Sequence, residues 1–136
     1  MGDIAAVAGS LDLSCGIALP MTLKAMIELD VLEIMAAAGP GAWLSPEEIA
    51  SKIQSSNPNA HEVLDRMLRF LAAHKVVTCE VVVGEDGKSK RRYGLGPVCK
   101  YFTKNEDGSV APMVLKNQHP IFVDAWYIRS IHFFIL

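Results

Sequence analysis

AHEVLDRMLRFLAAHKVVTCEVVVGEDGKSKRRYGL, residues 60–95, decides the fold because its period changes half-way along. From Ala60 to His74 the residues Val63, Leu64, Met67, Leu68 and Leu71 recur at helical spacing, and Asp65, Arg66 and Arg69 read as facing away from them. Asn59 and Glu62 form a cap pair at the start. After His74 the composition turns β-branched. VVTCEVVV reads as a strand, EDGK as a hairpin turn with Asp86-Gly87 at its tip, and SKRRYGL as the returning strand.

Upstream, LSPEEIASKI carries Ser45 at the N-cap, Pro46 at the first helical position and Glu48 three after the cap, the pattern of a capping box. Before it, residues 20–38, PMTLKAMIELDVLEIMAAA, read as one buried helix stopped by the GPG at 39–41. Two short helices joined by a turn and followed by a hairpin are the order of a winged helix-turn-helix. The fold class is therefore mainly α with a small β-hairpin wing. Short helices around Val98–Thr103 and Pro112–Gln118 complete it, and Pro120 breaks the path before an apolar end.

The totals fit one globular domain: 136 residues, 51% apolar, 21% charged, net charge −2. That balance does not supply the positive field a protein built on nucleic-acid phosphates needs. The wing does gather Lys88, Lys90, Arg91 and Arg92, but acidic Glu62 and Asp65 on the neighbouring helix suit a solvated hairpin better than a groove-reading module. Cys15, Cys79 and Cys99 are three, widely spaced, and read as reduced cytoplasmic thiols. His61, His74, His119 and His132 lie at no metal-ligand spacing. GLGPVC at 94–99 fails the phosphate-cradling glycine pattern at Cys99, and its Pro97 removes a backbone donor. The run from 121 to 136 is shorter than the ~20 apolar residues of a membrane span, and Asp124, Arg129 and His132 interrupt it. The apolar surplus of the 21–38 helix points to a subunit interface, with Leu23, Met26, Ile27 and Leu29 as its candidates.

LPMTLKAMIELDVLEIMAAAGPGAWLSPEEIA, NPNAHEVLDRMLRFLA, DGKSKRRYGLGPVCKYFTKNEDG and LKNQ with WY shortly after resemble plant caffeic acid and related phenolic and flavonoid O-methyltransferases over residues 11–127. The resemblance implies a winged-helix dimerisation domain over 11–119, after a variable N-terminus (1–10) and before a divergent apolar tail (120–136). It implies a homodimer, or a heterodimer with a full-length relative, and neither nucleic acid nor membrane as a partner. In that family S-adenosyl-methionine and the catalytic base belong to a further Rossmann-like domain, whose DVGGG-type loop does not occur in these 136 residues. The resemblance therefore implies no cofactor in this chain, no methyl transfer by it alone, and a truncated product whose IRSIHFFIL replaces a polar helix.

The resemblance also carries pocket positions. The family's MNQD segment reads KNQH here, so Asn117 matches, Lys116 stands for an apolar Met and His119 for Asp. Phe122 takes an apolar pocket position, and Cys15 matches a small residue that reaches the partner subunit's pocket.

Overall fold

The hairpin forms where the period changes. In the computed structural model, which describes residues 3–85, 87–105 and 108–125, β1 (Val77–Val83) pairs antiparallel with β2 (Ser89–Leu95), Val77 opposite Leu95 and Val83 opposite Ser89. Gly87 takes φ +73° in the turn, a conformation that favours glycine; Asp86 lies outside the described residues. Leu44 adds a one-residue bridge to the far side of β2 at Tyr93.

The helices precede the wing as α1 (Ile4–Ser14), α2 (Ala18–Glu28), α3 (Val31–Ala37), α4 (Pro46–Ala50) and α5 (Ala60–Ala73). A short 3-10 helix, Pro97–Tyr101, and α6 (Ala111–Asn117) follow it, and residues 120–125 are again helical. The capping box at Ser45 is formed in both directions: Ser45 Oγ accepts the Glu48 N–H at 3.2 Å, and the Ser45 N–H donates to Glu48 Oε2 at 2.7 Å.

Three readings need correction. The single helix over 20–38 is two helices. Asp30 breaks it in the left-handed region at φ +53°, which a short polar side chain tolerates. A straight 19-residue helix would run about 28 Å, and the bend lets Met26 from one half and Val31, Leu32 and Met35 from the other reach the same core. The Asn59–Glu62 cap is not made: Asn59 makes no side-chain cap bond, and its own N–H donates to Asn57 Oδ1 at 2.9 Å. Asp65 does not face away from the core side of α5 but lies under the wing, as described below. α1 spans residues on both sides of residue 10, where the resemblance sets the start of the domain.

The core gathers Met26, Leu32, Ile49, Leu68, Leu71 and Tyr93, each at most 1% exposed. The backbone approaches itself closely at one end of it. The Val76 carbonyl accepts the Gly96 N–H at 3.2 Å and the Cys99 thiol at 2.9 Å, which pins the 3-10 helix to the α5–β1 junction.

Candidate functional site

Apolar surface without cover is concentrated on α1. Asp12 is the only charged side chain in its eleven residues, and none of the eleven is buried. Ile4 is 77% exposed, Leu13 87%, and Val7 and Leu11 more than half. Its polar groups are turned back on the helix itself: Ser10 Oγ donates to the Val7 carbonyl at 2.7 Å and Ser14 Oγ to the Ser10 carbonyl at 2.8 Å. A helix apolar on every side is stable when something covers it. Ile17, Met21 and Leu29 prolong the exposed apolar surface along the next helix.

Of the interface candidates on α2, Leu23 and Met26 lie in the chain's own core and Ile27 packs against it. Leu29, the C-cap of α2, has 44% of its surface accessible. The helical period that made the four look alike does not separate inward from outward positions where most residues are apolar; the bend at Asp30 does.

The pocket candidates fall on two regions. Asn117 ends α6, and Phe122 lies in the helical segment that follows; both are exposed. They are tied through their neighbour, because Lys116 Nζ stands 5.3 Å from the centre of the Phe122 ring. Lys116 thus meets a π face where an apolar residue was expected. Cys15 is far from them in sequence, the exposed C-cap of α1, with its N–H on the Leu11 carbonyl at 2.9 Å. Of the tail read as divergent, 120–136, the residues from Trp126 onward lie outside the described residues.

The wing faces α5 through Asp65, whose partners the helical period does not show. Asp65 accepts the Tyr93 hydroxyl at 2.7 Å and Arg91 at 3.0 Å, and Arg69 lies 3.4 Å away on α5. Burial first, then the bond and charge of Asp65, push the Tyr93 phenol far above its usual range. Arg92 donates to the Trp43 carbonyl. Arg91 and Arg92 of the wing are therefore engaged within the chain. A groove of about 450 Å³ beside them mixes Arg66, Arg69 and Lys90 with Glu47 and Glu62, a lining with no single sign.

The glycines of GLG serve the protein's own packing. A Cβ on Gly96 would stand 2.3 Å from the Val76 carbonyl oxygen, and one on Gly94 2.9 Å from Thr78 Oγ1. Their missing side chains make room for this chain's own atoms and not for a ligand. Among the described residues no group of three His, Cys, Asp or Glu could hold a metal ion. No single described helix is long and apolar enough to cross a membrane, although α1 and α2, bent by 48°, pass that test as a pair.

The sequence model of the O-methyltransferase dimerisation domain matches residues 11–105. This chain belongs to that family. The described fold is that of the dimerisation domain. Among curated proteins the chain is similar to caffeic acid 3-O-methyltransferase of Rosa chinensis, 54% identical over 119 residues, 87% of this chain and 33% of that protein. The Clarkia breweri enzyme of the same name is 52% identical over 122 residues, again 87% of this chain and 33% of that protein. The chain thus spans about a third of the length of the curated relatives it matches. Among solved structures, human N-acetylserotonin methyltransferase in complex with SAM superposes with a TM-score of 0.69 over 90% of this chain and 33% of its own, at 19% identity. That likeness carries the fold of an O-methyltransferase dimerisation domain.

Proposed function

We propose that this chain is the pairing unit of an S-adenosyl-methionine-dependent O-methyltransferase acting on phenolic substrates, and that α1 and the apolar surface beside it form the subunit interface. One observation carries the interface: an eleven-residue helix with a single charge and no buried residue. Bringing two chains together costs about 4–15 kcal/mol in lost freedom of motion, and burying one large aliphatic side chain returns about 1.5–3 kcal/mol. One or two side chains do not suffice. Ile4, Val7, Leu11, Leu13, Ile17, Met21 and Leu29 from each of two chains do.

The phenolic substrate class rests on the caffeic acid 3-O-methyltransferase relatives. On this reading Asn117 and Phe122 contribute to the wall of a substrate pocket, and Cys15 reaches toward the partner subunit's pocket. The resemblance places the methyl donor on a further domain of the family, and the GLG stretch offers it no cradle, since the space at Gly94 and Gly96 is taken by the chain's own atoms. Proton abstraction from a phenol and in-line delivery of a methyl group need a base and a donor site placed together, so this chain alone transfers no methyl group. The partner is a second copy or a full-length relative in the cytoplasm.

The test is co-expression with a tagged caffeic acid 3-O-methyltransferase. The chain should co-purify with the tagged enzyme in equal amounts, and Leu11→Asp should abolish this. Co-purification unaffected by Leu11→Asp would remove α1 from the interface, and none at all with folded wild-type chain would overturn pairing with relatives.

A further inference from the structure

The two edges of the wing are treated differently. In this register Gly84 donates to the Lys88 carbonyl at 2.9 Å, and each residue of β1 faces the β2 residue whose number sums with its own to the same total. Antiparallel strands alternate the side to which backbone groups point. Thr78, Glu80 and Val82 therefore turn their N–H and C=O groups toward β2, and Cys79, Val81 and Val83 turn theirs outward. Tyr93, opposite Cys79, uses its outward groups on Leu44, at 2.8 and 2.9 Å.

The outer edge of β2 is thus guarded: Leu44 covers it at Tyr93, and the charged Arg91 occupies its next outward position. The outer edge of β1 carries none of the usual guards. Val77–Val83 contains no Pro, Gly, Lys or Arg, and its single charge, Glu80, belongs to the set turned toward β2. Among the described residues no strand pairs with it. Val81 is 63% exposed and Val83 72%. An edge of seven residues, five of them β-branched and one charged, is a template for another strand.

We infer that β1 is a second self-association surface, on which β1 of another copy pairs antiparallel about a two-fold axis at Val81. The sequence is self-complementary in that register. Cys79 meets Val83 of the other copy, Val81 meets its own equivalent, and Glu80 falls opposite Val82. Moving the axis to Glu80 would set two carboxylates against each other, which is unfavourable. The product is a four-stranded sheet in place of two isolated hairpins, and a two-stranded hairpin gains most from added strands. The two-fold makes the contact isologous and closed. This surface is separate from α1, so it joins pairs into larger assemblies when α1 is also occupied.

The experiment is sedimentation equilibrium of the whole chain carrying Leu11→Asp, which silences α1, with and without Val81→Lys. The Leu11→Asp chain should rise with concentration toward twice the single-chain mass, and adding Val81→Lys should hold it at the single-chain mass. Val81→Pro should act like Val81→Lys, because it removes an outward donor and leaves the ladder to β2. A Leu11→Asp chain that stays single at every concentration, or a mass unmoved by Val81→Lys, would overturn the proposal. A separate measurement needs no α1 variant. Under oxidation Val83→Cys should link to Cys79 of another copy, giving a reducible dimer whose bridged peptides are identified by mass spectrometry. Within one chain the two positions are about 13 Å apart along the strand, too far to bridge. A dimer bridged only through Cys15, or none, would count against the β1 pairing.

Discussion

Asp65 joins α5 to the wing through Tyr93 and Arg91 and pairs with Arg69 on its own helix, so its removal is felt at two elements. Tyr93→Phe keeps the buried ring and deletes its bond to Asp65 Oδ1. Hydrogen bonds to charged groups contribute about 1.5–3 kcal/mol, and urea unfolding of Tyr93→Phe should show a loss in that range. The same pair predicts a pH response. The folded-state pKa of Tyr93 is raised, by burial before Asp65, above its ordinary 10.0. The protonated phenol therefore favours the folded state: its contribution is complete below pH 10.0 and is lost as pH climbs above that value. The urea midpoint of the wild type should fall more steeply above pH 10.0 than that of Tyr93→Phe. At Gly96 the space is already full, with the Val76 carbonyl 2.3 Å from where a Cβ would be; Gly96→Ala should cost about 1–3 kcal/mol as an overpacked site. These contacts were not legible in the sequence. Asp65 falls on the polar side of α5 by period alone, and only the distant Tyr93 and Arg91 turn it into a half-buried partner.

The elements that were legible have local causes. The capping box at Ser45 and the change from helical to β-branched spacing after His74 are written in adjacent residues, and both appear where the sequence puts them. Ser45→Ala should destabilise the chain by about 1 kcal/mol, read from the thermal midpoint. The α2–α3 break was not legible, since 21–38 contains neither Gly nor Pro, and the bend brings both halves onto one core. The break makes its own prediction. Asp30 stands at φ +53°, so Asp30→Val should cost about 1–2 kcal/mol, because a β-branched residue resists that region. Asp30→Gly should be tolerated, and the comparison is made by urea unfolding. α1 went unread because its Ala-rich, nearly uncharged stretch has no polar face, and periodicity speaks only where two faces differ.

At the scale of the molecule, the fold leaves its apolar surplus outside. The core closes around Met26, Leu68 and Tyr93, while α1 buries nothing. A second chain accounts for that arrangement, and membership of the O-methyltransferase dimerisation family agrees with it. Asn117, Phe122 and Cys15 are pocket positions by resemblance, and the structure sets the Lys116–Phe122 contact beside Asn117. The most direct measurement is the mass of the whole chain by light scattering after size exclusion, beside Leu11→Asp, with circular dichroism confirming that both are folded. The wild type should run at no less than twice the single-chain mass and Leu11→Asp at a lower multiple. A folded wild-type chain at the single-chain mass, or a Leu11→Asp variant with the mass unchanged, would contradict pairing through α1.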